Sequence, residues 1–163
     1  VEKWIPLQEF PDYSVSSYGR VRSERYNRIL AVIKNGRGVA MVTLPRYGVN
    51  TKRSLAKLVA TAFVEIPEYR IPFDTVIHLD GDNMHNCAHN LMWRPKWFAG
   101  LYNRQFKIYP RDTLPLRDCE TGEEYEDIWT AIITHGLLYR DLMVCAQDRT
   151  PVFPTFQRFE WVI

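Results

Sequence analysis

The chain has 163 residues, 46% hydrophobic and 13% aromatic, which supplies enough apolar material for a packed core and excludes disorder as the main state. No run approaches the ~20 apolar residues of a membrane span, and Val1-Glu2-Lys3-Trp4 lacks the layout of a signal peptide. The net charge of +2 hides a division: ten Lys or Arg against one acid (Glu24) from Arg20 to Lys57, then five Arg against ten Asp or Glu from Tyr109 to Ile163.

The alternations Tyr13-Ser14-Val15-Ser16 and Arg20-Val21-Arg22-Ser23 read as two short strands turning at Gly19, a hairpin with Arg20 and Arg22 on one face. The spelling Trp-x-Pro … Phe … Tyr-x-Val-Ser-x-x-Gly-Arg-Val-Arg-Ser resembles the small nuclease-associated module that precedes many phage HNH nucleases. Arg20, Arg22, Arg25 and Arg28 crowd this hairpin. Such charges can blunt an exposed edge strand, but the basic run continues through Lys34, Arg37, Lys52, Arg53 and Lys57 and suits a phosphate backbone. A second strand pair is expected from Val39–Leu44 and the run after Gly48. Ser54 then caps a helix through Phe63, with Leu55, Leu58, Val59, Ala62 and Phe63 on its core face.

Residues 75–93 hold most of the chemistry. A β-type run, Thr75-Val76-Ile77, ends in His78; Asp80-Gly81-Asp82 reads as a tight turn. A helix is expected from about Asn86, carrying Asn90, Leu91 and Trp93. The frame His78, Asp80, Gly81, Asn86, Asn90, Leu91, Trp93 resembles the ββα-metal motif of the HNH nucleases, His-x-Asp-Gly-x-x-x-x-Asn-x-x-x-Asn-Leu-x-Trp. An imidazole is the natural base near neutral pH, and a hard divalent cation with oxygen ligands would steady the phosphate charge. The resemblance therefore implies His78 as general base, Asn90 as a positioning residue, and Mg²⁺ or Mn²⁺ as cofactor. From residue type alone, His78 fits a structural or DNA-contacting role better than that of a base, Asp80 and Asp82 fit turn and cap residues better than ligands, and Asn90 better fits a brace for the loop backbone. His85 and His89, four apart, would share a face of that helix and could hold zinc, although Cys87 offers no paired cysteine spacing. The resemblance places metal ligands just before the base and nine residues beyond Asn90; here those positions are Ile77 and Ala99, neither with a donor atom. Asp80, Asp82 and Asn103 are the substitutes on offer. The family's helix before the motif is similar to Leu58-Val59-Ala60-x-Ala62-Phe63, with Ala56-Lys57 where His-Arg is usual.

Pro95 interrupts the expected helix or restarts it. Beyond it Trp97, Phe98, Tyr102 and Phe106, among Arg94, Lys96, Arg104 and Lys107, either stack on bases or pack modules together. Leu114–Cys119 and Glu123–Tyr125 flank a Thr121-Gly122 turn. Asp127 caps a helix from Ile128 that stops at His135-Gly136, a second helix covers about 138–146, and Thr155–Val162 closes as a strand. This order is similar to the small C-terminal DNA-binding module of the same phage enzymes, whose second helix lies on DNA. Here that helix pairs Arg140 with Asp141.

The expectation is an α+β protein of three modules: 1–50, a basic nuclease-associated β module; 51–108, an HNH-like ββα unit with its aromatic and basic extension; and 109–163, an acidic helix-turn-helix-like module. The resemblance implies a phage-type HNH homing-endonuclease relative that binds DNA, with cleavage lost or impaired at Ile77 and Ala99. An active enzyme with a rearranged site is one alternative. A repurposed phage protein that binds a host protein, or structured RNA such as the ribosome's, is the other, on the strength of the acidic module. Three scattered cysteines, Cys87, Cys119 and Cys145, read as free thiols of a cytoplasmic protein, in the host cytoplasm if phage-encoded.

Overall fold

The computed structural model describes residues 1–163. Its elements are mixed, with antiparallel sheets and four helices, the fold class expected of the sequence. The chain folds into two compact units: Val1–His78 with Asp82–Lys96, and Leu79–Gly81 with Trp97–Ile163.

In the first unit, β1 (Trp4–Pro6), β2 (Tyr13–Ser16), β3 (Val21–Ser23) and β4 (Arg28–Ile29) form a meander in chain order. The expected hairpin is β2–β3, with Gly19 at φ +80° in its turn. Alternation buries Val15 and Val21 and leaves Arg20 and Arg22 together over the Trp4 ring, 5.6 and 4.3 Å from its centre. A second sheet runs β5 (Ile33–Lys34), β6 (Ala40–Arg46), β7 (Val49–Ser54). Ala40, Val42 and Leu44 point inward at period two, while residues 45–50 are exposed without a break. Ser54 Oγ then accepts from the Lys57 N–H, capping α1 (Leu55–Phe63) as its position foretells. The buried face of α1 is Leu55, Ala56, Val59 and Ala60. The expected core face is thus rotated: Leu58 and Ala62 instead line an open groove with Ile5 and Leu7.

The largest correction follows. β8 (Thr75–His78) does not lead through a turn into a helix. Only one 3-10 turn, Ala88–Asn90, forms, and Leu91–Arg94 is a strand, β9, antiparallel to β8 with His78 opposite Leu91 and Val76 opposite Trp93. A strand as apolar as Val76-Ile77 needs a partner, and the residue before a proline is pushed to extended backbone; both demands fall on 91–94. Trp93 is buried and donates to Val64 O, where α1 ends. Pro95 does not interrupt a helix; α2 (Lys96–Ile108) starts immediately after it. The order is therefore strand, loop, strand, helix.

The second unit carries β10 (Leu116–Asp118), β11 (Glu124–Tyr125), α3 (Ile128–His135), α4 (Tyr139–Asp148), β12 (Pro151–Val152) and β13 (Gln157–Trp161), in sheet order β11-β10-β13-β12. Asp127 caps α3 through a 2.7 Å bond from Thr130 N, and Gly136 closes it in the left-handed region at φ 64°. Gln105 of α2 ties down the turn between α3 and α4, accepting from Tyr139 N and donating to Leu137 O. Phe98 and Tyr102, base-stacking candidates in the sequence, are fully buried in this unit; Trp97 stacks on Phe153. No helix is long and apolar enough to cross a membrane.

Candidate functional site

His78 ends β8 with its side chain buried, and its Nε2 lies 2.8 Å from Asn86 Oδ1. The Asn86 amide is oriented by its own donor, since Nδ2 reaches Asn83 O at 3.3 Å. With an oxygen facing it, Nε2 must carry the proton, so the basic lone pair sits on Nδ1. Asn90 is buried and donates to His85 O at 2.8 Å, bracing the loop backbone. The loop itself rests on the N-terminal hairpin: Ala88 N donates to Ser17 O at 2.8 Å, the Cys87 thiol reaches Tyr18 O, and Gly19 packs against the Asn86 carbonyl. A histidine, the asparagine that selects its tautomer and the hairpin that holds the asparagine therefore form one connected assembly.

The basic residues from Arg20 to Lys57 divide by their partners. Arg20 is paired with Glu2, Arg22 with Glu24 at 3.1 Å, and Arg53 with Glu9 at 3.4 Å. Arg25, Arg28, Lys34, Arg37, Arg46, Lys52 and Lys57 are exposed and pair with no acid. They are spread over strand edges and turns, with Lys52 on the outward face of β7 beside Thr43. At the tip of β6–β7, Tyr47 and Gly48 both have positive φ, 50° and 76°, between the paired Arg46 and Val49. This is the primed two-residue hairpin turn, which favours Asn-Gly. Tyr47 is 92% exposed. A side chain in left-handed backbone costs roughly 1–2 kcal/mol, and the exposed approach of Arg46, 5.3 Å from its ring, returns about 0.5–1 kcal/mol.

Comparison with known proteins bears on this arrangement. Residues 2–44 match the NUMOD4 motif. Two uncharacterized HNH endonucleases of Acanthamoeba polyphaga mimivirus are 32% and 31% identical over 55% and 56% of the chain, and the H-N-H endonuclease F-TflII of Escherichia phage T5 is 28% identical over 56%. The solved HNH homing endonuclease I-HmuI superposes with a TM-score of 0.56 at 19% identity, covering 99% of this chain and 98% of that one. The chain is similar to HNH endonucleases over about half of its length and shares the fold of a solved HNH homing endonuclease. It spans only 26%, 23% and 47% of the three curated relatives' own lengths.

HNH chemistry calls for a divalent cation, and the residues at the expected ligand positions do not fit one. Ile77 is fully buried, paired with Met92 in the β8–β9 ladder, so the position before His78 belongs to the apolar core. Ala99 is buried in the first turn of α2. Of the substitutes, Asp82 accepts from Met84 N at 2.9 Å as a turn residue, Asp80 is half-buried, and Asn103 stands exposed on α2. His85 and His89 share no helix; their rings meet edge to face at 5.4 Å. No group of three or more His, Cys, Asp or Glu converges. Sequence reasoning does not single out Asn86 as a site residue, although Asn86 stands in the HNH frame.

Proposed function

We propose that this HNH-family chain binds duplex DNA through its N-terminal unit, and that phosphodiester cleavage is lost or strongly impaired. The observation that carries the binding is the set of seven exposed cations left between Arg20 and Lys57 when Glu2, Glu9 and Glu24 have paired with Arg20, Arg53 and Arg22. Such a set releases counterions from a phosphate backbone and makes binding steeply salt-dependent. Burial of Ile77 supports the second half: His78 keeps a tautomer suited to taking a proton from water, but the neighbouring position offers core packing where the family's cation chemistry needs an oxygen. The chain's own residues would then orient the backbone and hold an imidazole near it, without the charge stabilisation that makes hydrolysis fast.

The test pairs a mobility shift on mixed-sequence duplex with incubation of supercoiled plasmid in Mg²⁺ or Mn²⁺. Reversing Lys34 and Lys52 to Glu should weaken binding strongly at low salt and flatten the salt slope by about two or more, at roughly one for each phosphate no longer neutralised. The wild-type chain should leave the plasmid supercoiled. Metal-dependent nicking that vanishes in His78→Ala would instead establish a rearranged site drawing on Asp80, Asp82 or Asn103. Unchanged binding in the reversal variant would sink the DNA reading and return weight to a protein or RNA partner.

A further inference from the structure

We infer that the tip of the β6–β7 hairpin is a DNA-inserting finger whose wedge is Tyr47, an inference that rests on the duplex-binding reading above. Six consecutive residues, 45–50, are exposed while Pro45↔Asn50 and Arg46↔Val49 remain paired, so the tip is an ordered, solvent-exposed ribbon. A two-stranded ribbon is of a size that enters the major groove. Its end presents Tyr47 at 92% exposure and Val49 at 64%, with Arg46, the last residue of β6, 5.3 Å from the ring centre. An aromatic ring beside a cation is what stacks on or between bases, the charge meeting phosphate and the ring meeting the base.

The conformation of Tyr47 adds to the case made by its exposure. Its φ of 50° in a primed turn is one that Asn or Gly adopts freely and a bulky side chain does not. Folding gains no buried packing from the ring in exchange. A residue held in strained backbone with its side chain in solvent is the situation in which strain points to a role outside the fold. Fold stability and DNA affinity therefore pull in opposite directions at this one position, and that opposition can be measured.

The experiment uses the full chain and a short mixed-sequence duplex containing 2-aminopurine, whose emission rises when its stacking is broken. Tyr47→Asn restores the preferred Asn-Gly turn, so it should raise the melting temperature. The same variant should bind the duplex roughly tenfold more weakly and lose the emission rise. Because no charge is removed, its slope of log K against log salt should match wild type, whereas Lys52→Ala should lower the slope by about one and keep the emission rise. Tyr47→Phe should behave as wild type. Wild-type affinity and emission in Tyr47→Asn would overturn the finger while leaving DNA binding intact. A lowered melting temperature in that variant would overturn it too, because Tyr47 would then serve the fold. A wild-type chain that ignores the duplex at low salt would remove the DNA reading itself, and the finger with it.

Discussion

An imidazole in a nuclease-type strand end is useful only if the right nitrogen holds the lone pair, and at His78 that choice is made by one neighbour. Asn86 presents its oxygen to Nε2 at 2.8 Å because its nitrogen is engaged with Asn83 O. Both side chains are buried, so water cannot substitute for the asparagine, and an imidazole N–H left without an acceptor there costs about 1–3 kcal/mol. Asn86→Leu, of similar volume, should lower stability by that amount in urea unfolding. It should also turn the ¹⁵N pattern of His78 from a single Nε2–H tautomer to a mixture. A wild-type spectrum showing the Nδ1–H tautomer would refute the assignment outright. The same geometry explains why the neighbour of the base matters so much. In a β-strand successive side chains go to opposite faces, and Ile77 turns to the core, so a ligand there would come at the expense of packing.

At the scale of elements, the loop from Asp82 to Asn90 is shaped less by its own propensities than by the hairpin beneath it. Gly19 shows this best: a Cβ there would come within 2.7 Å of the Asn86 carbonyl, and its φ of +80° is already hostile to a side chain. Gly19→Ala should therefore cost more than the ~1 kcal/mol of the backbone alone, and it should shift the His78 ring resonances although the two residues are 59 positions apart. Unmoved His78 resonances in a folded Gly19→Ala chain would show that hairpin and loop are not coupled. This dependence also explains which elements could be read from sequence. α1 and α3 announce themselves through local devices, the Ser54 cap and the Asp127 and Gly136 pair, and the structure has them. β9 does not, because Asn86 to Trp93 resembles a helix start when read alone, and only pairing with β8 makes Leu91–Arg94 extended. The site follows the same rule. His78 is legible from its strand-end position, whereas the role of Asn86 depends on a loop path that another element imposes.

For the molecule as a whole, charge and ionisation are unevenly divided. The first unit keeps unpaired cations; in the second, Arg117 bonds Glu124 and Glu160 at 3.1 and 3.4 Å, and Arg149 bonds Glu160 at 3.0 Å, so two of its few arginines are already paired. The second unit also holds groups that tie stability to pH near and above neutrality. Burial lowers the His135 pKa below its usual 6.5, against the opposing pull of Glu123 and Asp118, and the ring sits 2.7 Å from the Tyr125 hydroxyl. Burial, with a bond to Asp112, pushes Tyr139 from 10 up to about 12, and burial with Glu123 does the same for Tyr125. A histidine whose folded pKa is depressed binds its proton more readily when unfolded. Stability is then full above pH 6.5 and falls as pH drops through the folded value. A tyrosine whose folded pKa is raised loses stability in the opposite direction, as pH rises from 10 towards 12. Melting temperature should accordingly form a plateau with two shoulders. His135→Gln should flatten the acid shoulder just below pH 6.5 while the alkaline one persists through Tyr139, whatever the variant does to the plateau height. An unchanged acid shoulder would place the titrating group elsewhere, since carboxylates with ordinary or lowered values release stability only at more acidic pH.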